Sequence, residues 1–259
     1  MTFSCRNIMW NSFALAVQAL TRLPALADLT TTPQEARRAV VLFPFVGGLI
    51  GVLLAAIWTL GSRLWAGQPL VSAALTLAAG LLVTGGRGLG GIARAADGVA
   101  AHGGGGDRTH AFAVMRDPRR GTAGLVALGA FLALRLAFLA ALPASLAWPA
   151  LVLTGVLGGW AVAFSYSAFP VAGRREGGSA GVEAGAEAGP GEFLAATAVA
   201  IVCGAVLPSR GLLTLLAVVL VAGPTAAGAN RLLGGLNRPL CAALGEIAEI
   251  VALACLSIR

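Results

Sequence analysis

Residues 84–124 read TGGRGLGGIARAADGVAAHGGGGDRTHAFAVMRDPRRGTAG, with glycines, arginines and three aspartates interrupting an otherwise apolar chain. The contrast with its flanks decides the fold. The chain as a whole is 58% hydrophobic and 11% charged, with a mean hydropathy of +0.85, which is more apolar surface than a soluble domain of 259 residues can bury. The sequence therefore predicts an all-α, polytopic integral membrane helical bundle with a polar face. It reads as a single membrane domain over 1–259, with an active-site-like polar loop at 84–124 and a second loop at 169–192.

Working outward, apolar blocks approach the roughly 20 residues that cross a bilayer. They are Ala39–Leu60, Leu70–Val83, Leu125–Leu142, Leu146–Ala168, Phe193–Leu207, Leu212–Ala229 and Leu240–Ile258, which gives about six to seven spans. Leu70–Val83 is short and needs Thr84–Gly86 or local thinning. Met9–Leu20 is too short to span and is expected along the interface, retained because no small-residue cleavage site follows it.

Arginine placement sets the orientation, because cytoplasmic loops hold the excess of basic residues. With alternating spans from a cytoplasmic N-terminus, Arg37, Arg38, Arg87, Arg94, Arg108, Arg116, Arg119, Arg120, Arg174, Arg175, Arg231 and Arg238 share one side, whereas Arg63, Arg210 and Arg259 take the other. The loops Thr84–Gly124, Phe169–Glu192 and Arg231–Pro239 are thus expected together on the cytoplasmic face. Topology and contact with anionic lipid or phosphate account for the net charge of +7, and no nucleic acid is needed.

Cys5, Cys203, Cys241 and Cys255 have no paired spacing and read as small hydrophobes, while His102 and His110 lack metal-ligand spacing. Asp97, Asp107 and Asp117 recur every ten residues among arginines and glycines. Carboxylates, guanidinium forks and permissive backbone together suit a surface that handles phosphate with magnesium, although a solvated loop that only enforces topology would look the same. Glu246 and Glu249 lie three apart within an apolar run, on one helical face, where ionisable groups are costly. Arg135, three turns into Leu125–Leu142, is placed to pair with one of them or to reach toward the loop face.

These residues also resemble a family. FALAVQALTRLPAL, VVLFPFVGGLIG, ADG at Ala96–Gly98, DR at Asp107–Arg108, VMRDPRRGTAG at Val114–Gly124, GRREGG at Gly173–Gly178 and LLGGLNRPLCAALGEIAEI together are similar, in order and spacing, to the motifs of the cobalamin synthase family. That resemblance implies a magnesium-dependent adenosylcobinamide-GDP ribazoletransferase of the bacterial inner membrane. It would join α-ribazole, or its 5′-phosphate, to adenosylcobinamide-GDP and release GMP. It further implies catalytic roles for Asp97, Arg116, Asp117, Arg119 and Glu176, with Asp97 and Asp117 holding Mg2+. Substrate contacts would come from Arg22, Arg108, Arg135, Arg174, Glu246 and Glu249. Assembly as a homo-oligomer or with other cobalamin-assembly enzymes fits the same picture.

The chain departs from the family pattern at Gly88, Gly90 and Arg94, where the family carries a histidine and two aspartates, and at Asn237–Pro239, where it carries T-G-D. These exchanges remove carboxylates and add a cation. The alternative reading is therefore a catalytically weakened homologue that binds a corrinoid or a partner protein in the membrane.

Overall fold

The computed structural model describes residues 2–23, 32–170, 172, 188–207 and 210–258. Among them the chain is all-helical, with ten α-helices and no strand. The helices are α1 (Thr2–Leu20), α2 (Pro33–Leu64), α3 (Pro69–Thr84), α4 (Arg87–Gly103), α5 (Arg108–Arg116), α6 (Thr122–Ala141), α7 (Ala147–Ala168), α8 (Pro190–Ala205), α9 (Arg210–Leu233) and α10 (Arg238–Ser257). Five of these (α2, α6, α7, α9 and α10) are long and apolar enough to cross a membrane, and α3 with α4 passes as a sixth, bent by 82°. Of the expected spans, Phe193–Leu207 appears as the shorter apolar helix α8.

The core is the crossing of α2 and α7. Gly47 and Gly51 face Gly155, Leu151 and Val152, and a Cβ on any of these glycines would run into the opposing backbone. Within lipid, where apolar burial does not drive helices together, close approach of small residues is what supplies the dispersion energy. Buried Phe43, Val156, Leu157 and Trp160 fill the space around this seam. Trp160 stacks on Phe164 with ring centroids 5.5 Å apart and donates its indole N–H to Thr197 Oγ1 at 3.0 Å, which docks α8.

Around this pair the remaining helices are tied by local chemistry. The Thr32-Pro33-Gln34-Glu35 start of α2 is a capping box with proline in the first turn. Glu35 also accepts the Asn11 side-chain N–H at 2.9 Å, so α1 packs on α2. Met9–Leu20, expected along the interface, is thus part of a longer helix, with Ala14, Leu15 and Ala16 buried.

The largest correction concerns Thr84–Gly124, most of which is not loop but the two helices α4 and α5 joined by short turns. Gly85 and Gly86 both have positive φ (66° and 63°), a conformation that a side chain would strain, and they turn the chain sharply out of α3. α4 then packs against α10, α5 and α6. Its glycines lower helix propensity, but they also let the neighbouring helices approach closely. A Cβ on Gly91 would lie 2.7 Å from the Pro239 carbonyl oxygen, and one on Gly98 would overlap Met115. Tertiary contact therefore overrides the composition.

Candidate active site

Described residues from the three polar segments meet at one end of the bundle. The N–H of Leu236 donates to Pro170 O and that of Ala172 to Leu236 O, both at 2.9 Å, joining the turn after α9 to the end of α7. Arg108 donates through Nε and Nη2 to the carbonyls of Leu232 (3.0 Å) and Arg231 (3.2 Å). These are the last, unsatisfied acceptors of α9, where a cation is favoured. Asn237 caps α10 by accepting the N–H of Leu240 at 3.1 Å, and its side-chain amide reaches Met115 Sδ at 3.2 Å. Segments far apart in sequence are thus locked into one rim.

Below the rim, Arg135 on α6 forks between two carboxylates of α10, with Nη1 on Glu246 Oε2 and Nη2 on Glu249 Oε2. Both acids are engaged, and all three side chains are largely shielded, at 13%, 11% and 23% exposure. The glutamates reach this position because two glycines leave room for them. A Cβ on Gly88 of α4 would strike the Glu246 carboxylate and its Cγ, and one on Gly158 of α7 would lie 2.6 Å from Glu249 Cγ. The triad therefore links α4, α6, α7 and α10. It carries one formal negative charge, so its geometry must be well satisfied to be tolerated there.

Asp97, 6% exposed, serves a different purpose from the one its motif suggests. Its Oδ2 accepts the N–H of Gly121 at 2.9 Å and its Oδ1 the N–H of Gly124 at 2.7 Å. Gly121 begins α6 and has no side chain to cap it, so Asp97 acts as that cap from 24 residues away, at the helix end that favours an anion. Asp107 caps α5 through the N–H of His110 at 2.7 Å. Asp117 is exposed; its Oδ1 accepts the N–H of Arg119 at 2.7 Å, and its carbonyl accepts Arg120 Nη1 at 2.7 Å. Arg116 and Arg119 are exposed on the same edge.

Whether this donor set suits magnesium is decided by these bonds. No group of three His, Cys, Asp or Glu residues is placed to hold a metal among the described residues. Each Asp97 oxygen already holds a backbone N–H, and Asp117 sits between arginines. As placed, Asp97, Asp107 and Asp117 are engaged with backbone N–H groups and do not converge on one point. Glu176 and Arg174, expected to complete the site, lie outside the described residues.

Arg22, expected to contact substrate, lies across the bend. Its N–H donates to Val83 O at 2.9 Å, and its side chain covers Gly85. Three arginines not anticipated as binding residues gather beside it. Arg87 donates to the Gln18 and Ala19 carbonyls at the end of α1, Arg94 lies two turns further along α4, and Arg238 opens α10. Like charges act on Arg94 from Arg120 and Arg238, and on Arg87 from Arg238 and Arg22. The seven-residue spacing of Arg87 and Arg94 was the available signal, since it places both on one helical stripe, but it is visible only once the segment is read as helix.

Residues 12–257 match the family described as Cobalamin-5-phosphate synthase. A protein of Roseiflexus sp. (strain RS-1) named adenosylcobinamide-GDP ribazoletransferase is 36% identical over 257 residues, covering 96% of this chain and 91% of that protein. Proteins of the same name from Pseudomonas fluorescens (strain SBW25) and Pseudomonas paraeruginosa are 40% and 43% identical over 146 and 131 residues, which is 56% and 51% of this chain. The chain spans 58% and 51%, about half, of the lengths of these two Pseudomonas relatives. No solved structure matches. With nearly its whole length matched, this multi-pass helical membrane protein belongs to the cobalamin-5-phosphate synthase family.

Proposed function

We propose that the chain is an adenosylcobinamide-GDP ribazoletransferase acting at the cytoplasmic face of a bacterial inner membrane. The carrying observation is the family match over residues 12–257, supported by relatives that bear that enzyme name. Those names favour the catalytic reading over a homologue that only binds a corrinoid or partner.

In the proposed reaction, the 5′-hydroxyl oxygen of α-ribazole, or of its 5′-phosphate, attacks the phosphorus linked to cobinamide. The bond from that phosphorus to the bridging oxygen breaks, GMP leaves with that oxygen, and the hydroxyl proton is released. Such a transfer depends on positioning and on neutralising charge that moves to the leaving oxygen. On this reading Arg116 and Arg119 hold phosphate oxygens at the exposed edge, where arginine forks match phosphate geometry. Glu176 and Arg174 orient the nucleophile's side of the site. Asp97 fixes the start of α6 and thereby the turn that carries Arg119 and Arg120. The Arg135–Glu246–Glu249 triad holds α10 against α6 beneath the nucleotide, while the apolar spans face the corrinoid's greasy flank.

Magnesium, as the resemblance implies, would neutralise charge on the diphosphate when bound. The deciding experiment supplies purified protein in nanodiscs with adenosylcobinamide-GDP and α-ribazole and follows GMP, with magnesium and with EDTA. Release of GMP that depends on α-ribazole is expected. Corrinoid binding with no GMP under either condition would overturn the proposal in favour of the binding-only homologue.

A further inference from the structure

We propose that Arg87, Arg94 and Arg238, flanked by Arg22 and Arg120, form a diphosphate-binding site that works without a divalent metal. The identity of the diphosphate, that of a nucleoside diphosphate ester, rests on the transferase reading.

The geometry begins on α4. Arg87 and Arg94 are seven residues apart, two turns along one stripe, with Gly90 and Gly91 between them. Gly91 faces the first turn of α10, close to the Pro239 carbonyl, which brings Arg238 beside the stripe. Gly90 faces open space, because a Cβ built there meets no atom within 4 Å. An open space thus lies on the helix face between two arginine positions, with a third arginine at the start of another helix.

Arg120 closes one side, since it adjoins Gly121, whose N–H is held by Asp97 one turn beyond Arg94. Arg22 closes the other side by crossing Gly85. The first turn of α4 has no side-chain cap, so its amide groups add to the positive field.

Among the described residues the ion pairs are those of Arg135 with Glu246 and Glu249, and no acid pairs with the five rim cations. Their mutual repulsion is relieved when a polyanion enters, and guanidinium forks can bind phosphate oxygens in pairs. Arg87 keeps this capacity while bonded to α1, because a guanidinium carries five N–H donors. The charge that a magnesium ion would neutralise is matched here by arginine.

The test is isothermal titration of the full chain, in nanodiscs of zwitterionic lipid, with inorganic pyrophosphate and with GDP in EDTA. Saturable, salt-sensitive binding is expected, falling by about tenfold or more in the Arg94→Ala, Arg238→Ala double variant and little changed in Arg63→Ala. Circular dichroism checks the fold. Should the double variant fail to fold, Gly90→Asp, which puts a carboxylate into the gap, is expected to weaken binding by a similar factor. Binding that appears only with magnesium overturns the proposal, as does binding unchanged in the folded variants. Displacement of pyrophosphate by phosphatidylglycerol in the nanodisc would assign the arginines to lipid headgroups and also overturn it. GMP release is followed separately, so metal-free pyrophosphate binding without turnover would sink the transferase reading and leave this site standing.

Discussion

The buried triad and the rim above it use the same side-chain chemistry to opposite ends. In the triad one arginine meets two glutamates among packed helices, and each carboxylate bonds the shared guanidinium. On the rim five arginines lie near one another with no described carboxylate paired to them, while Asp97 is turned away onto the start of α6. Paired charges at depth fix how helices sit, and removing one partner strands the others. Unpaired charges at an open edge cost little when removed, and they are available to a ligand.

The sharpest way to break that contrast is to strip the triad of its cation. Arg135→Met leaves two facing carboxylates without a counter-charge and is expected to cost about 3–5 kcal/mol, read as a large drop in melting temperature in detergent. Adding Glu246→Gln and Glu249→Gln to that variant should recover most of the loss. If the single variant melts like the wild type, the triad does not hold the bundle together.

Asp97→Ala comes next, at about 2 kcal/mol, because it removes a buried carboxylate that caps α6 through two N–H groups. The competing role as a magnesium ligand makes a different forecast: magnesium would raise the melting temperature of the wild type and not that of the variant. The capping role requires the destabilisation to be the same with magnesium or EDTA.

Gly88→Ala probes the space between the two regions. The new methyl meets the Glu246 carboxylate and Cγ, so the glutamate must shift and its bond to Arg135 is disturbed. Overpacking of this kind costs about 1–3 kcal/mol, and removing a helical glycine returns about 0.5–1 kcal/mol, which leaves a net loss of about 1 kcal/mol. A stabilised variant would mean that Glu246 does not occupy that space.

How much of this the sequence disclosed follows from the same physics. Glu246, Glu249 and Arg135 stood out because a charge within an apolar run has few explanations, and helical periodicity put the two acids on one face. Arginine counting put the three polar segments on one side, and among the described residues hydrogen bonds join Ala172 to Leu236 and Arg108 to Leu232. Asp97 was not legible in the same way. Its partners are backbone N–H groups 24 and 27 residues away, which no motif spells, so its acidity was read as metal binding. The glycines of α4 misled for a related reason: they resemble a loop in isolation and act as contact surfaces only once α10 and Met115 are in place.

Gly90→Asp should have the smallest effect on stability and isolates the rim most cleanly. The position is half-exposed, and a built Cβ touches nothing, so the side chain enters without displacing a neighbour. A substitution of this kind shifts stability by about 0.5 kcal/mol or less. Aspartate is a slightly better helix former than glycine, and it sits in the first turns of α4, where an anion is favoured. Attraction to Arg87 and Arg94, one turn to either side, acts in the same direction and is weakened by salt. The melting temperature should therefore rise slightly at low salt and return to the wild-type value at high salt. A clear destabilisation at low salt would mean that the gap over Gly90 is closed or that the arginines do not flank it, and the distinction between a filled interior and a vacant cationic rim would fail at that point.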